Sequence, residues 1–378
     1  MIYLDNAAST RVREEAADAA LRAMREDFGN TSSTHLPGRR ASDMLEQARA
    51  SVASVVGAPT ESVVFTSGGT EANNHAILQG APTLSRRGRH IVTSLAEHDA
   101  VLRPIEHLAS AGYDVTYLRP DKTGAVPFEE IAAALREDTI LISLMLVNNE
   151  TGAINPVSDV AAEIKRRNLS ALLHTDAVQA YGKLPISFSA LGADFMSVSA
   201  HKIHGAKGAG ALIIRGGVRL PPLLSGGGQE SGRRAGTHAL PAIAAFGEAA
   251  RLAGAELSDN YARALALRAL AEAEITARLD DAVIISNGGS PYILSFSLPG
   301  HRAETLMNAL DTEGVYVSRS SACKKGARSH VLEAMRLPTR VTDGALRVSF
   351  SRDTTAEEVT YFAECIQRIS KSIYTRKR

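Results

Sequence analysis

The sequence predicts an α/β protein with a largely parallel sheet covered by helices on both faces, followed by a smaller α+β domain. Up to about residue 255, short β-branched runs alternate with amphipathic stretches, a rhythm typical of parallel sheets. Beyond that point, a long helix rich in Ala, Leu and Arg precedes several shorter elements. We therefore expect a large domain over residues 14–255 and a small domain over 256–378, with residues 1–13 joining the small domain.

Each element is predicted from the period of its apolar residues. Helical spacing predicts helices over residues 14–27, 39–56, 99–111, 157–167, 240–255, 303–312 and 355–372, another after the turn 67–74, and a long one from residue 259. Apolar and β-branched runs predict strands over residues 62–66, 90–93, 113–117, 139–147, 171–176, 194–199, 315–318 and 346–350. Shorter elements are expected over residues 211–215, 282–286 and 292–298.

Length and composition describe an ordinary soluble protein. The chain has 378 residues, long for one hydrophobic core, with 44% hydrophobic and 22% charged residues. A net charge of +1 gives no electrostatic case for binding nucleic acid or a membrane surface. No apolar run approaches the ~18 residues of a membrane-spanning helix. The N-terminal residues lack the basic and apolar regions of a signal peptide, and two cysteines are too few for a disulfide framework or a cysteine-rich metal site. We expect a cytoplasmic protein.

A lysine lies just after one of the predicted strands. Lys202 follows the strand 194–199 in a glycine-rich turn, with Ser199 and His201 beside it. A buried lysine is rare unless it has a partner or a function, and burial lowers its pKa, which suits Schiff-base chemistry. From this stretch alone, a surface lysine in a hairpin loop is the simpler interpretation.

Three further polar residues lie at the ends of predicted strands, namely Thr70, Asn149 and Asp176. Because functional groups collect at the carboxyl ends of parallel strands, we expect these residues to lie near Lys202. Gly69 and Thr70 also begin a helix directly after a strand, where free backbone N–H groups bind anions. An ordinary turn between a strand and a helix is the alternative for that segment.

Together these residues suggest a site for pyridoxal phosphate. That cofactor needs a lysine for a Schiff base, an anion beside its pyridinium nitrogen and donors for its phosphate. Lys202 supplies the first and Asp176 the second. The expected phosphate donors are Gly69, Thr70, Ser199 and His201. His98 begins a helix and is placed to stack on the ring, while a structural histidine is the alternative at that position.

A set of motifs stands in order along the chain, at residues 3–8, 67–74, 97–98, 147–150, 176–179, 199–202, 226–237 and 320–323. On these motifs the chain resembles, nearly end to end, the cysteine desulfurases of the NifS/IscS-like branch, class V aminotransferase-like enzymes of fold type I. The resemblance implies a mostly parallel seven-stranded sheet and pyridoxal 5'-phosphate as cofactor. It also implies conversion of L-cysteine to L-alanine, with a persulfide left on Cys323.

The resemblance implies a role for each residue of the cofactor site. Lys202 is implied to hold the cofactor, and Asp176 to pair with its ring nitrogen. His98 is implied to stack on the ring and to transfer protons. Gln179 is implied to bond the phenolic oxygen, and Asn149 to lie between cofactor and substrate.

Two further residues match the family. Arg347 lies outside these motifs, and Thr237 is the last residue of the motif 226–237. Arg347 matches the arginine that clamps the substrate carboxylate, a task suited to the planar fork of a guanidinium. Thr237 is implied to reach the phosphate of the partner subunit, which predicts a homodimer.

The two cysteines are expected to differ in reactivity. Cys323 follows a predicted strand in a polar segment. Nearby cations favour the thiolate, the form that attacks sulfur. Four such cations lie within five residues of it: Arg319, Lys324, Lys325 and Arg328. Cys365 lies in a helical stretch and is expected to pack in the core.

The chain departs from the family pattern at three places. Ser231 replaces an arginine, and Arg319 replaces a glycine before the cysteine, which should stiffen or re-aim that turn. The segment from Cys323 to Ser329 is about two residues shorter than in well-known members, which removes roughly 7 Å of extended reach. The shorter reach predicts one dedicated acceptor protein rather than many.

Other functions remain open at this point. A selenocysteine lyase or another β-eliminating lyase of the same fold is one alternative. A non-catalytic scaffold that binds sulfur-carrier proteins is another, and the intact Lys202, Asp176, His98 and Cys323 argue against it. The sulfur acceptor is open between an iron–sulfur scaffold, a tRNA-thiolation enzyme and a thiamin-pathway carrier.

Overall fold

The computed structural model describes residues 1–319 and 328–373. Its strands are β1 (Ile2–Tyr3), β2 (Val63–Thr66), β3 (His90–Ser94), β4 (Asp114–Leu118), β5 (Thr139–Ser143), β6 (Leu172–Asp176), β7 (Phe195–Ser199), β8 (Gly210–Ile214), β9 (Val283–Ile284), β10 (Ile293–Ser297), β11 (Val315–Tyr316), β12 (Ser318–Arg319) and β13 (Ala345–Ser349).

The helices connect and cover these strands. They are α1 (Glu14–Arg25), α2 (Leu36–Ser54), α3 (Gly69–Thr83), α4 (Asp99–Ser110), α5 (Phe128–Ala134), α6 (Val157–Arg166), α7 (Phe188–Leu191), α8 (Leu240–Ala255), α9 (Leu257–Arg278), α10 (Ala303–Thr312), α11 (His330–Ala334), α12 (Thr339–Asp343) and α13 (Ala356–Ser372). Short 3₁₀ turns span Thr60–Ser62, Ala200–Lys202 and Gln229–Gly232. Within the part of the chain that the structure describes, no helix is both long and apolar enough to cross a membrane.

The central sheet has seven strands in the order β2-β8-β7-β6-β5-β3-β4. Neighbouring strands from β4 through β7 are parallel, whereas β8 is antiparallel to both β7 and β2. Because β8 is antiparallel to both neighbours, β2 points the same way as β7, and its carboxyl end lies at the same edge of the sheet. The prediction of a mostly parallel seven-stranded sheet is confirmed.

Helices cover both faces of this sheet because successive side chains of each strand point to opposite sides. Ile91 of β3 packs in a cluster with Ile77 of α3 and Ile105 of α4. The next residue, Val92, belongs instead to the main cluster, which also contains Val52 of α2. The strands in the middle of the sheet are therefore apolar on both faces, as expected for a buried parallel sheet.

Two predicted strands are wrong in detail. The run 139–147 is buried throughout, but β5 ends at Ser143. Beyond it, the chain forms an isolated bridge between Val147 and Ile154, and the residues between them turn back at Gly152, whose φ is +77°. The run 315–318 divides into β11 and β12, which pair with β1 and β13 in two different sheets. Apolar composition indicates burial, and neither segment forms one continuous strand, although all of 139–147 and most of 315–318 are buried.

The C-terminal part of the chain has its own antiparallel sheet, in the order β12-β13-β10-β9. Its apolar residues form a separate cluster with residues of α9, α10 and α13. Leu4, next to β1, packs in the same cluster, and β1 pairs in parallel with β11. Cys365 is fully buried there, as its helical spacing predicted. The division of the chain near residue 255 stays a prediction.

Candidate active site

A cavity of about 310 Å³ lies at the edge of the sheet where the parallel strands end. Asp176 ends β6, Lys202 follows β7, and Thr70 begins the helix after β2. The predicted site residues that line the cavity are Gly69, Thr70, His98, Asn149, Asp176, Gln179, Ser199, His201, Lys202 and Arg347. The shared direction of β2, β6 and β7 explains why residues distant in sequence meet here.

One predicted site residue, Thr237, does not line this cavity. Thr237 is exposed, in the segment between the turn Gln229–Gly232 and α8. Cys323 lies outside the described residues.

The amine of Lys202 is held by the N-terminal segment of the chain. Lys202 ends the 3₁₀ turn Ala200–Lys202, which directly follows β7. Its Nζ donates to the carbonyl oxygens of Ala7 at 2.6 Å and Ala8 at 2.8 Å. Ala7 and Ala8 also line the cavity, so these contacts keep the amine at the cavity wall.

His201, next to Lys202, is held neutral by its surroundings. Burial, followed by the positive charge of Lys202, lowers the pKa of His201 to about 4. Its Nδ1 lies 3.3 Å from the hydroxyl of Ser9. Its carbonyl oxygen accepts a hydrogen bond from the Thr10 hydroxyl at 2.9 Å. At neutral pH the ring is therefore uncharged, with the N-terminal segment fixing its backbone.

The carboxylate of Asp176 has a partner for each oxygen. Asn73 Nδ2 donates to Oδ2 at 2.7 Å, and the backbone N–H of Val178 donates to Oδ1 at 3.0 Å. Asp176 is only 7% exposed. Sequence reasoning did not single out Asn73, although it lies three residues after Thr70 and hence on the same face of α3.

His98 is the N-cap of α4, and this position determines its tautomer. Its Nδ1 accepts from the backbone N–H of Ala100 at 3.1 Å. A neutral ring that accepts at Nδ1 carries its proton on Nε2. Sequence reasoning assigned no role to Glu97, which is fully buried and accepts from the Met145 N–H at 2.7 Å. Burial raises the pKa of Glu97 well above 4.5, and the charge of Asp176 adds to this effect.

Arg347 reaches the cavity from β13 in the C-terminal sheet. Its Nη1 donates to the carbonyl oxygen of Asn149 at 2.8 Å, and its Nη2 forms an ion pair with Asp5 at 2.7 Å. The side chain is 2% exposed, and its Nε has no hydrogen-bond partner among residues 1–319 and 328–373. No local pattern could have identified Asp5, because it lies 342 positions from Arg347.

Gln179 lies between the cavity wall and a buried lysine. Its Nε2 donates to the carbonyl oxygen of Ala7 at 2.8 Å, and its Oε1 accepts from Lys183 Nζ at 3.1 Å. Both side chains are buried. Sequence reasoning missed Lys183. The one sequence feature that could have indicated it is its spacing of four residues from Gln179.

A buried carboxyl group contacts the chain just beyond the undescribed segment. The hydroxyl of Ser329, the N-cap of α11, donates to Glu150 Oε2. Burial raises the pKa of Glu150 to about 7, with the Ser329 hydrogen bond and the charge of Arg347 opposing the rise. Sequence reasoning assigned no separate role to Glu150, which belongs to the motif 147–150. Its partner Ser329 is 179 positions away.

The residues present fit pyridoxal phosphate. The site offers an amine, a buried carboxylate with both oxygens bonded, and a helix N-terminus for a phosphate. Close packing leaves no room for a side chain at the start of that helix, since a Cβ on Gly69 would lie 2.8 Å from Val178 Cγ2. Gly69 and Thr70 both line the cavity, so the N-terminus of α3 borders it. Among residues 1–319 and 328–373, no group of three or more His, Cys, Asp or Glu could hold a metal ion.

Comparisons with known proteins show which family and which solved structures this chain resembles. The family model for class-V aminotransferases matches residues 2–362. A cysteine desulfurase IscS of Dictyoglomus turgidum is 40% identical over 378 residues, covering 99% of this chain and 95% of the relative. A solved NifS-like protein is 39% identical, with a TM-score of 0.93 over 98% of this chain and 100% of that chain. The structure of SspA in complex with cysteine is 29% identical, with a TM-score of 0.81 over 94% of this chain and 100% of that chain.

Proposed function

The chain belongs to the class-V aminotransferase family and is a pyridoxal-phosphate-dependent cysteine desulfurase, and on this premise we propose which residues carry the reaction and where the sulfur goes. The observation that carries the assignment is the shared cavity of Lys202, Asp176, His98 and Arg347. It combines an amine, an anion, a proton carrier and a carboxylate-binding cation. L-Cysteine is the proposed substrate, supported by the relative whose structure was solved in complex with cysteine.

In this proposal one set of cavity residues binds the ring of the cofactor and another set binds its phosphate. Pyridoxal phosphate, when bound, supplies an electron-withdrawing ring that stabilises negative charge on the substrate carbon. Lys202 holds it through its amine, Asp176 faces its ring nitrogen, and Gln179 donates to its phenolic oxygen. The proposed phosphate donors are the N-terminus of α3 at Gly69 and Thr70, together with Ser199 and His201.

His98 is the proposed proton carrier and stacking partner. In the neutral ring Nδ1 accepts from the Ala100 N–H, so Nε2 carries the proton that this residue can donate. Nδ1 is also fixed by the start of α4, so the ring cannot rotate without losing the cap.

Arg347 is the proposed clamp for the substrate carboxylate. Two of its nitrogens are fixed by Asp5 and Asn149, which orients the planar guanidinium at the cavity wall. The Asn149 side chain is the proposed contact between cofactor and substrate. A guanidinium held in this way needs little reorganisation to bind a carboxylate.

We assign the sulfur acceptor to Cys323. The thiolate of Cys323 attacks the substrate sulfur, the carbon–sulfur bond of L-cysteine breaks, and a sulfur–sulfur bond forms. The electron pair of the broken bond stays on carbon and is protonated, which gives L-alanine and a persulfide with no external oxidant. The complete burial of Cys365 in α13 supports this assignment, since that thiol is not accessible to substrate.

The test compares Cys323→Ala with the matched control Cys365→Ala. Purified proteins loaded with pyridoxal phosphate are given L-cysteine or, in parallel, L-selenocysteine, and alanine release is measured together with the mass of the intact chain. We expect the native protein and the control to release alanine and to gain one sulfur atom, and the Cys323 variant to do neither. Alanine release from selenocysteine alone would favour a selenocysteine lyase, and persulfide on another residue would contradict the Cys323 assignment.

We further propose a homodimer in which Thr237 reaches the phosphate bound in the partner subunit. The exposure of Thr237, outside the cavity of its own subunit, supports this proposal. Mixing inactive Lys202→Ala with a Thr237→Ala variant tests it. Mixed dimers contain one site with both native residues, so activity should exceed that of either variant alone. Unchanged activity after verified subunit exchange would contradict it.

The proposed recipient of the persulfide sulfur is one dedicated acceptor protein, which is either an iron–sulfur scaffold protein or a tRNA-thiolation enzyme. The short sequence between Cys323 and Ser329 supports a restricted choice of acceptor. Sulfur-transfer rates from the persulfidated enzyme to several unrelated acceptor proteins test this. Equally rapid transfer to all of them would contradict it.

A further inference from the structure

Lys183 is a buried amine that none of the assignments above uses. It is 7% exposed, and it lies behind Gln179 rather than in the wall of the cofactor cavity. It lines a separate small cavity of about 30 Å³ together with Lys202 and Tyr292. Its Nζ is 6.0 Å from the centre of the Tyr292 ring.

We propose that Lys183 is a positioning residue that fixes the amide orientation of Gln179, so that Gln179 presents an N–H donor to the cofactor cavity. The inference rests on the proposed function, in which Gln179 donates to the phenolic oxygen of pyridoxal phosphate. It adds the physical reason that the amide faces the cavity with its nitrogen.

The hydrogen-bonding capacities of the neighbours select this orientation. Below its pKa of about 7 the Lys183 amine is an ammonium group, which only donates hydrogen bonds, so the atom of Gln179 that faces it is the acceptor Oε1. The NH₂ group then points to the other side, where it donates to the Ala7 carbonyl at 2.8 Å. Inverting the amide would bring two donors together at Lys183 and two acceptors together at Ala7. Both contacts would change from attractive to repulsive.

The orientation matters because the proposed partner in the cavity is anionic. An N–H donor stabilises a phenolate oxygen by a charge-assisted hydrogen bond, whereas a carbonyl oxygen repels it. A glutamine whose amide could invert freely would present either atom. Lys183 removes that ambiguity from outside the cavity, without itself contacting the cofactor.

The placement of Lys183 is energetically unfavourable, which points to a role other than stability. A buried lysine is rare because the charged amine loses its hydration. Burial, together with the positive charges of Lys202 and Arg347, lowers the pKa of Lys183 to about 7. A methionine of similar length would fill this space without the cost of burying a charge. We therefore expect the amine to have a function.

The experiment measures the visible absorbance of bound pyridoxal phosphate as a function of pH. The proteins are the native holoenzyme, Lys183→Met, Gln179→Leu and the double variant, with Lys183→Arg as the matched control that still only donates. Loss of a charge-assisted hydrogen bond to the phenolic oxygen should move the spectral midpoint to higher pH by roughly one unit. We expect Lys183→Met and Gln179→Leu to move it in the same direction. The double variant should move it no further than the larger single change, and Lys183→Arg should return it toward the native midpoint.

Several results would overturn the inference. A native midpoint in Lys183→Met beside a shifted one in Gln179→Leu would show that Lys183 does not orient the amide, while leaving the proposed function intact. Additive shifts in the double variant would show that Lys183 acts independently of Gln179. An unshifted Gln179→Leu would overturn both the inference and the role of Gln179. If Lys183→Met does not fold, Lys183→Gln replaces it. That side chain accepts as well as donates, so an intermediate midpoint is expected and a native one contradicts the inference.

Discussion

Glu150→Gln should stabilise the protein above neutral pH and have little effect in acid. The wild-type carboxyl group is buried, and the hydrogen bond from Ser329 does not compensate for lost hydration. Burial raises its pKa from 4.5 to about 7. A glutamine at this position can accept the same hydrogen bond through its amide oxygen, and it carries no charge at any pH.

The direction of this pH dependence follows from the numbers of protons that the folded and unfolded proteins bind. Below pH 4.5 the carboxyl group is protonated in both the folded and the unfolded protein, so it contributes no pH dependence. Between 4.5 and about 7 the folded protein binds more protons, so the free energy of unfolding falls as pH rises. At about 1.4 kcal/mol for each pKa unit, the full loss is about 3 kcal/mol above pH 7. We treat this as an upper limit, reached only if the charged form stays in its buried position.

The assay is urea unfolding of the cofactor-saturated proteins at acid, neutral and mildly alkaline pH. The difference in unfolding free energy between Glu150→Gln and the native protein should be small in acid and grow to between about 1 and 3 kcal/mol at alkaline pH. Glu137→Gln, in an exposed turn before β5, serves as the matched control and should show no such trend. A difference that does not depend on pH, or a native protein that is the more stable at alkaline pH, would refute the reasoning.

Three further changes test the cavity. Lys202→Ala should abolish alanine release, because no amine remains to hold the cofactor, and substantial steady turnover by the purified variant would contradict the assignment. Asp176→Asn keeps the shape of the side chain but removes the negative charge beside the ring nitrogen, so turnover should fall much more than cofactor occupancy measured by absorbance. Equal turnover would mean that another group faces that nitrogen. Arg347→Lys keeps the charge but loses the planar fork, so the Michaelis constant for L-cysteine should rise by an amount equivalent to about 1–3 kcal/mol. An unchanged Michaelis constant would place the carboxylate elsewhere.

The sequence alone predicted the part of the site that follows from the direction of parallel strands. Asp176 and Lys202 come directly after short apolar runs, and Thr70 begins the helix after another. Once those runs are placed in one parallel sheet, their carboxyl ends meet at one edge and the residues must lie close together. The same runs predicted a largely parallel sheet covered by helices, because a strand that is apolar on both faces needs helices on both sides. The count of seven strands came from the family resemblance.

Periodicity could not decide how far a buried run remains a strand. The apolar residues after Ser143 are as buried as those in β5, and the N–H groups of Leu144 and Leu146 still donate to carbonyl oxygens of β6, yet β5 ends at Ser143 and the chain turns at Gly152. Hydrophobic spacing indicates which side chains are buried. It does not record which backbone groups pair, because that depends on where the neighbouring strand ends.

Only the tertiary structure decided the contacts that orient the site residues. Asp5 fixes Arg347 across 342 positions, and Ser329 bonds Glu150 across 179. Such pairs join segments that the fold brings together after each has formed its own local structure. Their energies depend on burial and on the exact direction of one hydrogen bond, and neither quantity is encoded in the spacing of residues along either segment. The chemistry of the groups was therefore readable in the chain, whereas their orientation was set by the packing of the N-terminal segment and the C-terminal sheet around them.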